Sequence, residues 1–64
     1  MEVGETRRAD YLGYCADTYN FRLKDSGEVL MIPKSSIIGE SVLHSGKLIV
    51  QLTRMRLGTY QVAY

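Results

Sequence analysis

Cysteine is nearly absent: Cys15 stands alone, so no disulfide can close within the chain. A structural zinc needs about four Cys, His or carboxylate ligands, and His44 is the only histidine to set beside that one thiol. No apolar run approaches the length of a membrane span, and the opening MEVGETRRAD has no apolar signal-peptide core. No run of glycines matches a phosphate-binding loop. His44 falls in a predicted turn with no serine or cysteine at a nucleophile's spacing, and reads as an exposed turn residue. Cys15 falls in a predicted strand, where a free thiol serves as a small apolar core residue. The carboxylates are scattered and lie mostly at turns, Asp25 and Glu28 flanking one of them. The sequence thus assigns no catalytic residue, no metal and no cofactor, and a non-enzyme is expected. The unpaired cysteine and the lack of an export signal point to a reducing, cytoplasmic setting without a membrane.

What is present is enough for one small domain. The 64 residues make a single unit, 1–64, with the polar residues 1–8 as a loosely ordered lead-in. Five tyrosines, one phenylalanine and many Val, Ile and Leu argue against disorder. A chain this short buries only roughly 60% of its unfolded surface, so its core is thin. With disulfides and zinc set aside, association with further copies of itself is the expected support. The formal net charge of +1 hides an asymmetry: residues 1–40 hold five cations against seven acids, whereas residues 41–64 hold Lys47, Arg54 and Arg56 and no acid.

The dominant period is two. Tyr19, Phe21 and Leu23 alternate with Asn20, Arg22 and Lys24, the pattern of a strand with one wet face. Asp10 to Ala16 reads as a strand before it, with Leu12, Tyr14 and Ala16 on one face and Gly13 marking a bulge. Asp25-Ser26-Gly27 is a hairpin turn, and Glu28 to Ile32 returns from it until Pro33, which has no N–H to give to a ladder. Pro33-Lys34-Ser35-Ser36 suits a tight or 3₁₀ turn. A short strand is expected over Ser41–Leu43, another hairpin turn at His44-Ser45-Gly46, and the clearest alternation over Lys47–Thr53. The predicted strands are 10–16, 19–25, 28–32, 47–53 and 59–63, with at most a turn of helix over 53–57. Five or six short strands joined by Gly-containing turns define an all-β fold, a small bent sheet or barrel of SH3-like or OB-like size. Its expected core is Phe21, Leu23, Val29, Met31, Leu48, Val50 and Leu52.

Two surfaces are candidates for function. Arg22, Lys24, Lys47, Arg54, Arg56 and Tyr60 combine cations with an aromatic face, as single-stranded nucleic-acid binders do. Outward Arg and Lys also serve simply to keep a sheet wet and unpaired at its edges. The second surface is the strand VLMI, apolar at four successive positions, which implies cover on both faces. Leu30, Ile32 and Pro33 are expected at an edge interface with another copy of the chain.

The segment FRLKDSGEVLMIPKSSI, about a quarter of the chain, resembles the hairpin of small phage and bacterial proteins in which a Gly turn leads into a strand ending Ile-Pro-Lys-Ser. The same segment is similar to the Gly-x-Val-x-Ile-Pro-Lys stretch of swapped-hairpin regulators of the AbrB type. That second resemblance implies a dimerising hairpin whose basic residues meet DNA. Here the strand is one residue longer, and Ser35-Ser36 replaces the acidic residues that begin the helix in those regulators. One inserted residue flips every following side chain to the other face. Together these features lead to a binding module that acts on nucleic acid, or alternatively to a phage-like module that docks on a host protein through an apolar β edge.

Overall fold

The structure, a computed structural model, describes all 64 residues, Met1–Tyr64. It is all-β, with β1 (Thr6–Cys15), β2 (Thr18–Leu23), β3 (Val29–Pro33), β4 (Ile37–Ile38), β5 (Ile49–Arg54) and β6 (Tyr60–Ala63). Three 3₁₀ turns, at Lys34–Ser36, Glu40–His44 and Arg56–Gly58, are the only helical elements. The strands form one sheet in the order β3-β2-β1-β5-β6-β4. Its two outermost strands, β3 and β4, are therefore consecutive in the chain and joined by a single 3₁₀ turn. That connection forces the sheet to curl until its edges approach, yet no ladder joins them. Of the bent sheet and the barrel that the sequence allows, the bent sheet forms. The corner after Pro33 is where its two edges are tied together.

β1 is the spine. Its first half pairs with β5 from Thr6↔Thr53 to Asp10↔Ile49, and its second half pairs with β2 from Ala9↔Leu23 to Cys15↔Thr18. The register shifts between Tyr11 and Gly13, a bulge that Gly13 permits with φ 135. The bulge turns the strand, so Leu12 and Tyr14 face solvent, and Cys15 is exposed rather than in the core expected for it. The lead-in is also more ordered than its composition implies. β1 already begins at Thr6, Gly4 N–H donates to Arg54 O at 2.7 Å, and Met1 packs against the core.

The core lies in the concavity of the sheet: Ala9, Tyr19, Phe21, Leu23, Ile32, Leu43, Val50, Leu52 and Val62. Tyr11 packs at a tilt against Tyr19 and Phe21 with centroids 6.1 and 5.6 Å apart. The buried Tyr19 hydroxyl donates to Glu40 Oε2 at 2.8 Å, which satisfies the one polar atom such a ring brings inside. The turn Glu40–His44 stands where a strand over 41–43 was expected, and it lowers Leu43 onto the core. Gly39 makes this possible with φ 82. A Cβ there would lie 2.8 Å from the Val62 carbonyl oxygen.

Four expected core residues, Phe21, Leu23, Val50 and Leu52, are buried. Val29, Met31 and Leu48 are not, at 49%, 72% and 69% exposed. In β3 the parity comes from its partner. Tyr19 lies opposite Ile32 and Phe21 opposite Leu30, and directly opposed residues share a face. Leu30 and Ile32 are thus drawn inward and cannot form the outward interface expected of them; Ile32 is 3% exposed. Leu48 precedes the end of the β1–β5 ladder at Ile49, and a bend at that residue carries its side chain out.

Candidate functional site

The convex side of the sheet gathers the cations of three strands. Residues directly opposite share that side, which gives the row Val29–Arg22–Asp10–Ile49 across β3, β2, β1 and β5. One step along, Lys24 N–H donates to Arg8 O at 2.9 Å, and Arg8 lies opposite Gln51. Arg8, Arg22 and Lys24 therefore surround Asp10, whose Oδ1 takes the Lys24 ammonium at 2.9 Å. Lys47 continues the positive face beyond β5 with its Nζ 5.7 Å from the Tyr64 ring centroid. Between Arg8 and Lys47 runs an open groove of about 730 Å³, floored by Leu48, Ile49 and Gln51 and flanked by Tyr64. Four cations against one acid on a single face is a strong local excess for a chain of formal net charge +1.

The remaining candidates lie at the other end of β5. Arg54 Nη1 donates to the Tyr60 hydroxyl at 2.9 Å, and its guanidinium carbon is 5.1 Å from that ring's centroid. Arg54 also binds the lead-in through its backbone, to Gly4 N–H and, as donor, to Glu5 O at 2.9 Å. This pair staples the N-terminus to β5 and β6. Arg54 Nε is buried without a partner. Arg56 is exposed, and next to it Leu57 is 99% exposed with φ 60, a backbone region costly for a branched side chain. The structure thus brings Arg22, Lys24 and Lys47 to one face and sets Arg54, Arg56 and Tyr60 apart from them. Pro33 is exposed at the β3 edge.

Sequence reasoning missed Arg8 as a member of this face. Arg8 shares the parity of Asp10, but it joins the face only because β1 begins at Thr6 through its pairing with β5. Tyr64 becomes part of the face only because β6 lies beside β5, from Gln51↔Ala63 to Arg54↔Tyr60.

The tyrosines are mostly committed to structure. Burial, helped by Glu40, pushes the Tyr19 phenol up to about 12. Burial raises Tyr11, and Tyr14 is raised by the hydrogen bond that the Tyr14 hydroxyl donates to Asp17 Oδ1. None of these three is prepared for proton transfer near neutral pH. Arg7 makes a two-pronged bond to Asp25, with Nε 3.0 Å from Oδ2, which holds that carboxyl below the usual aspartate range. No three His, Cys, Asp or Glu side chains come together as a metal site. No helix is long and apolar enough to cross a membrane. Set against known protein families, curated proteins and solved structures, the chain matches none.

Proposed function

We propose that this chain is a non-enzymatic binding module whose convex sheet face engages single-stranded nucleic acid in a reducing, cytoplasmic setting. The observation that supports it most is the convergence of Arg8, Arg22, Lys24 and Lys47 on one face, three of them without an acidic partner. Phosphates would follow the cations across β2, β1 and β5, while bases would rest on Tyr64 and on Leu48 and Ile49 in the groove. A binder of this kind needs no reactive group, which suits a face made of cations, amides and apolar side chains. Binding of a fluorescent single-stranded oligonucleotide over a range of salt is the test. Neutralising three or four phosphates gives a slope of log K against log salt of about −2 to −3. The charge-removing double variant Arg8→Gln/Arg22→Gln should flatten that slope by about one unit or more.

A second reading has its own observation. Val29, Met31 and Ile49 are exposed on the same convex side, and the exposed Leu48 lines the groove beside Ile49, which suits docking on a host protein, as a phage-like module would. An apolar protein interface would bind with little dependence on salt.

A further inference from the structure

The free edge of β3 has a structure that its sequence does not display. Leu23 N–H donates to Glu28 O at 2.8 Å and Lys34 N–H donates to Asp17 O at 2.8 Å, so the β2–β3 ladder holds residues 28 to 34 in register. In an antiparallel pair every second residue bonds to its neighbour. Glu28, Leu30, Ile32 and Lys34 therefore turn their backbone groups toward β2, while Val29, Met31 and Pro33 turn theirs away from it. β3 ends the sheet, so nothing in the chain pairs with that side. Pro33, which lacks an N–H, sits where no ladder bond to β2 is lost. The free edge thus offers two N–H donors, at Val29 and Met31, and three carbonyls. The side chains of the same three residues, all exposed, line its convex side.

We propose that this edge pairs with the same edge of a second copy, antiparallel and with its two-fold axis at Met31. In that register Met31 faces Met31 of the partner subunit and exchanges two hydrogen bonds with it. Val29 N–H on each copy reaches the opposite Pro33 carbonyl, which adds two more. Both free donors are then satisfied, and the missing proline N–H falls opposite a carbonyl that can remain in water. Glu28 of each copy lies opposite Lys34 of the other, so both ends of the paired strands carry complementary charge. Shifting the axis by one residue to Leu30 would set Glu28 against Ile32 and Lys34 against Ser26. Charge therefore selects the Met31 register. Val29, Met31 and Pro33 of the two copies would form one continuous apolar stripe, covering side chains that a monomer leaves wet. The dimer would also join two convex faces into one surface, although it does not depend on what those faces bind.

Sedimentation over a wide concentration range reads the association directly. The native chain should dimerise. Glu28→Lys or Lys34→Glu alone should raise the dissociation constant about tenfold, because each makes two like-charged pairs. The double reversal Glu28→Lys/Lys34→Glu should return it to near the native value. A Met31→Cys chain in a Cys15→Ser background should form a disulfide-linked dimer on mild oxidation, since opposed residues in a bonded pair lie about 5.5 Å apart at Cα. Gln51→Cys in the same background should not. A monomer at every concentration overturns the proposal and leaves the edge to a strand of some other chain. Failure of the double reversal to restore dimerisation, or equal crosslinking of the Met31→Cys and Gln51→Cys chains, overturns it too.

Discussion

β2 and β3 lie side by side in the same sheet, yet they behave as opposites. In β2 the residues Tyr19, Phe21 and Leu23 are buried, and the polar residues between them leave no doubt which side faces in. In β3 four apolar residues follow one another, and only Leu30 and Ile32 pack inward. The lesson concerns information rather than hydrophobicity. Alternation states a face, whereas a continuous apolar run states only that a strand is there. The face of β3 is set across the ladder, by Phe21 and Tyr19 opposite Leu30 and Ile32. The surplus pair, Val29 and Met31, is left on the convex side beside Arg22.

The largest test of this contrast is within β2. Phe21→Ala should cost about 3–5 kcal/mol in a denaturant melt, enough to unfold much of so small a domain, whereas Arg22→Ala should leave stability within about 0.5 kcal/mol. Within β3 the same contrast is between neighbours. Ile32→Ala should cost about 2–4 kcal/mol, and Met31→Ala, measured at concentrations where the chain is monomeric, less than about 0.5 kcal/mol. The reverse order would show that β3 is turned over.

A smaller effect concerns the buried tyrosine of β2. The phenol of Tyr19 titrates near 12 in the folded chain, against 10 when unfolded. Above pH 10 the unfolded chain loses this proton first, so the stability contributed by neutral Tyr19 is fully present below pH 10. It falls as pH rises toward 12. Tyr19→Phe should flatten that alkaline decline. A melt series of both chains from pH 8 to pH 12, run at constant ionic strength, checks it.

The smallest effect compares the turns that flank β2. Gly27, at φ 75, already supplies the residue its turn needs, and Gly27→Ala should cost about 1 kcal/mol. Ala16, at φ 52, is a non-glycine residue in the same backbone region, so Ala16→Gly should gain about 0.5 kcal/mol. Chemical denaturation of the two variants should move their midpoints in opposite directions.

The strands were legible wherever side chains alternate, as in Tyr19–Leu23 and Val50–Leu52, and the turn residues Gly13, Gly27 and Pro33 were legible from their backbone limits. Three features were not. Leu43 reaches the core on a 3₁₀ turn because Gly39 approaches Val62, a contact between segments far apart in the chain. Arg8 joins the convex face because β1 begins at Thr6, held there by pairing with β5 rather than by its own polar composition. Arg22, Lys24 and Lys47 could be picked out as cations. The period of two already puts Arg22 and Lys24 on one face; that Lys47 joins them, and that Arg54 and Tyr60 do not, depended on strand order, which local period does not encode.

The convex face can be tested at single-residue resolution by following backbone amide NMR signals while a single-stranded oligonucleotide is added at low salt. The expected result is a set of shifts at Arg8, Arg22, Lys24, Lys47 and Tyr64, with the core strand positions Phe21 and Leu52 and the Arg54–Tyr60 staple nearly unmoved. Shifts confined to the Arg54–Tyr60 end, or no shifts at all, would contradict the assignment of the convex face as the binding surface.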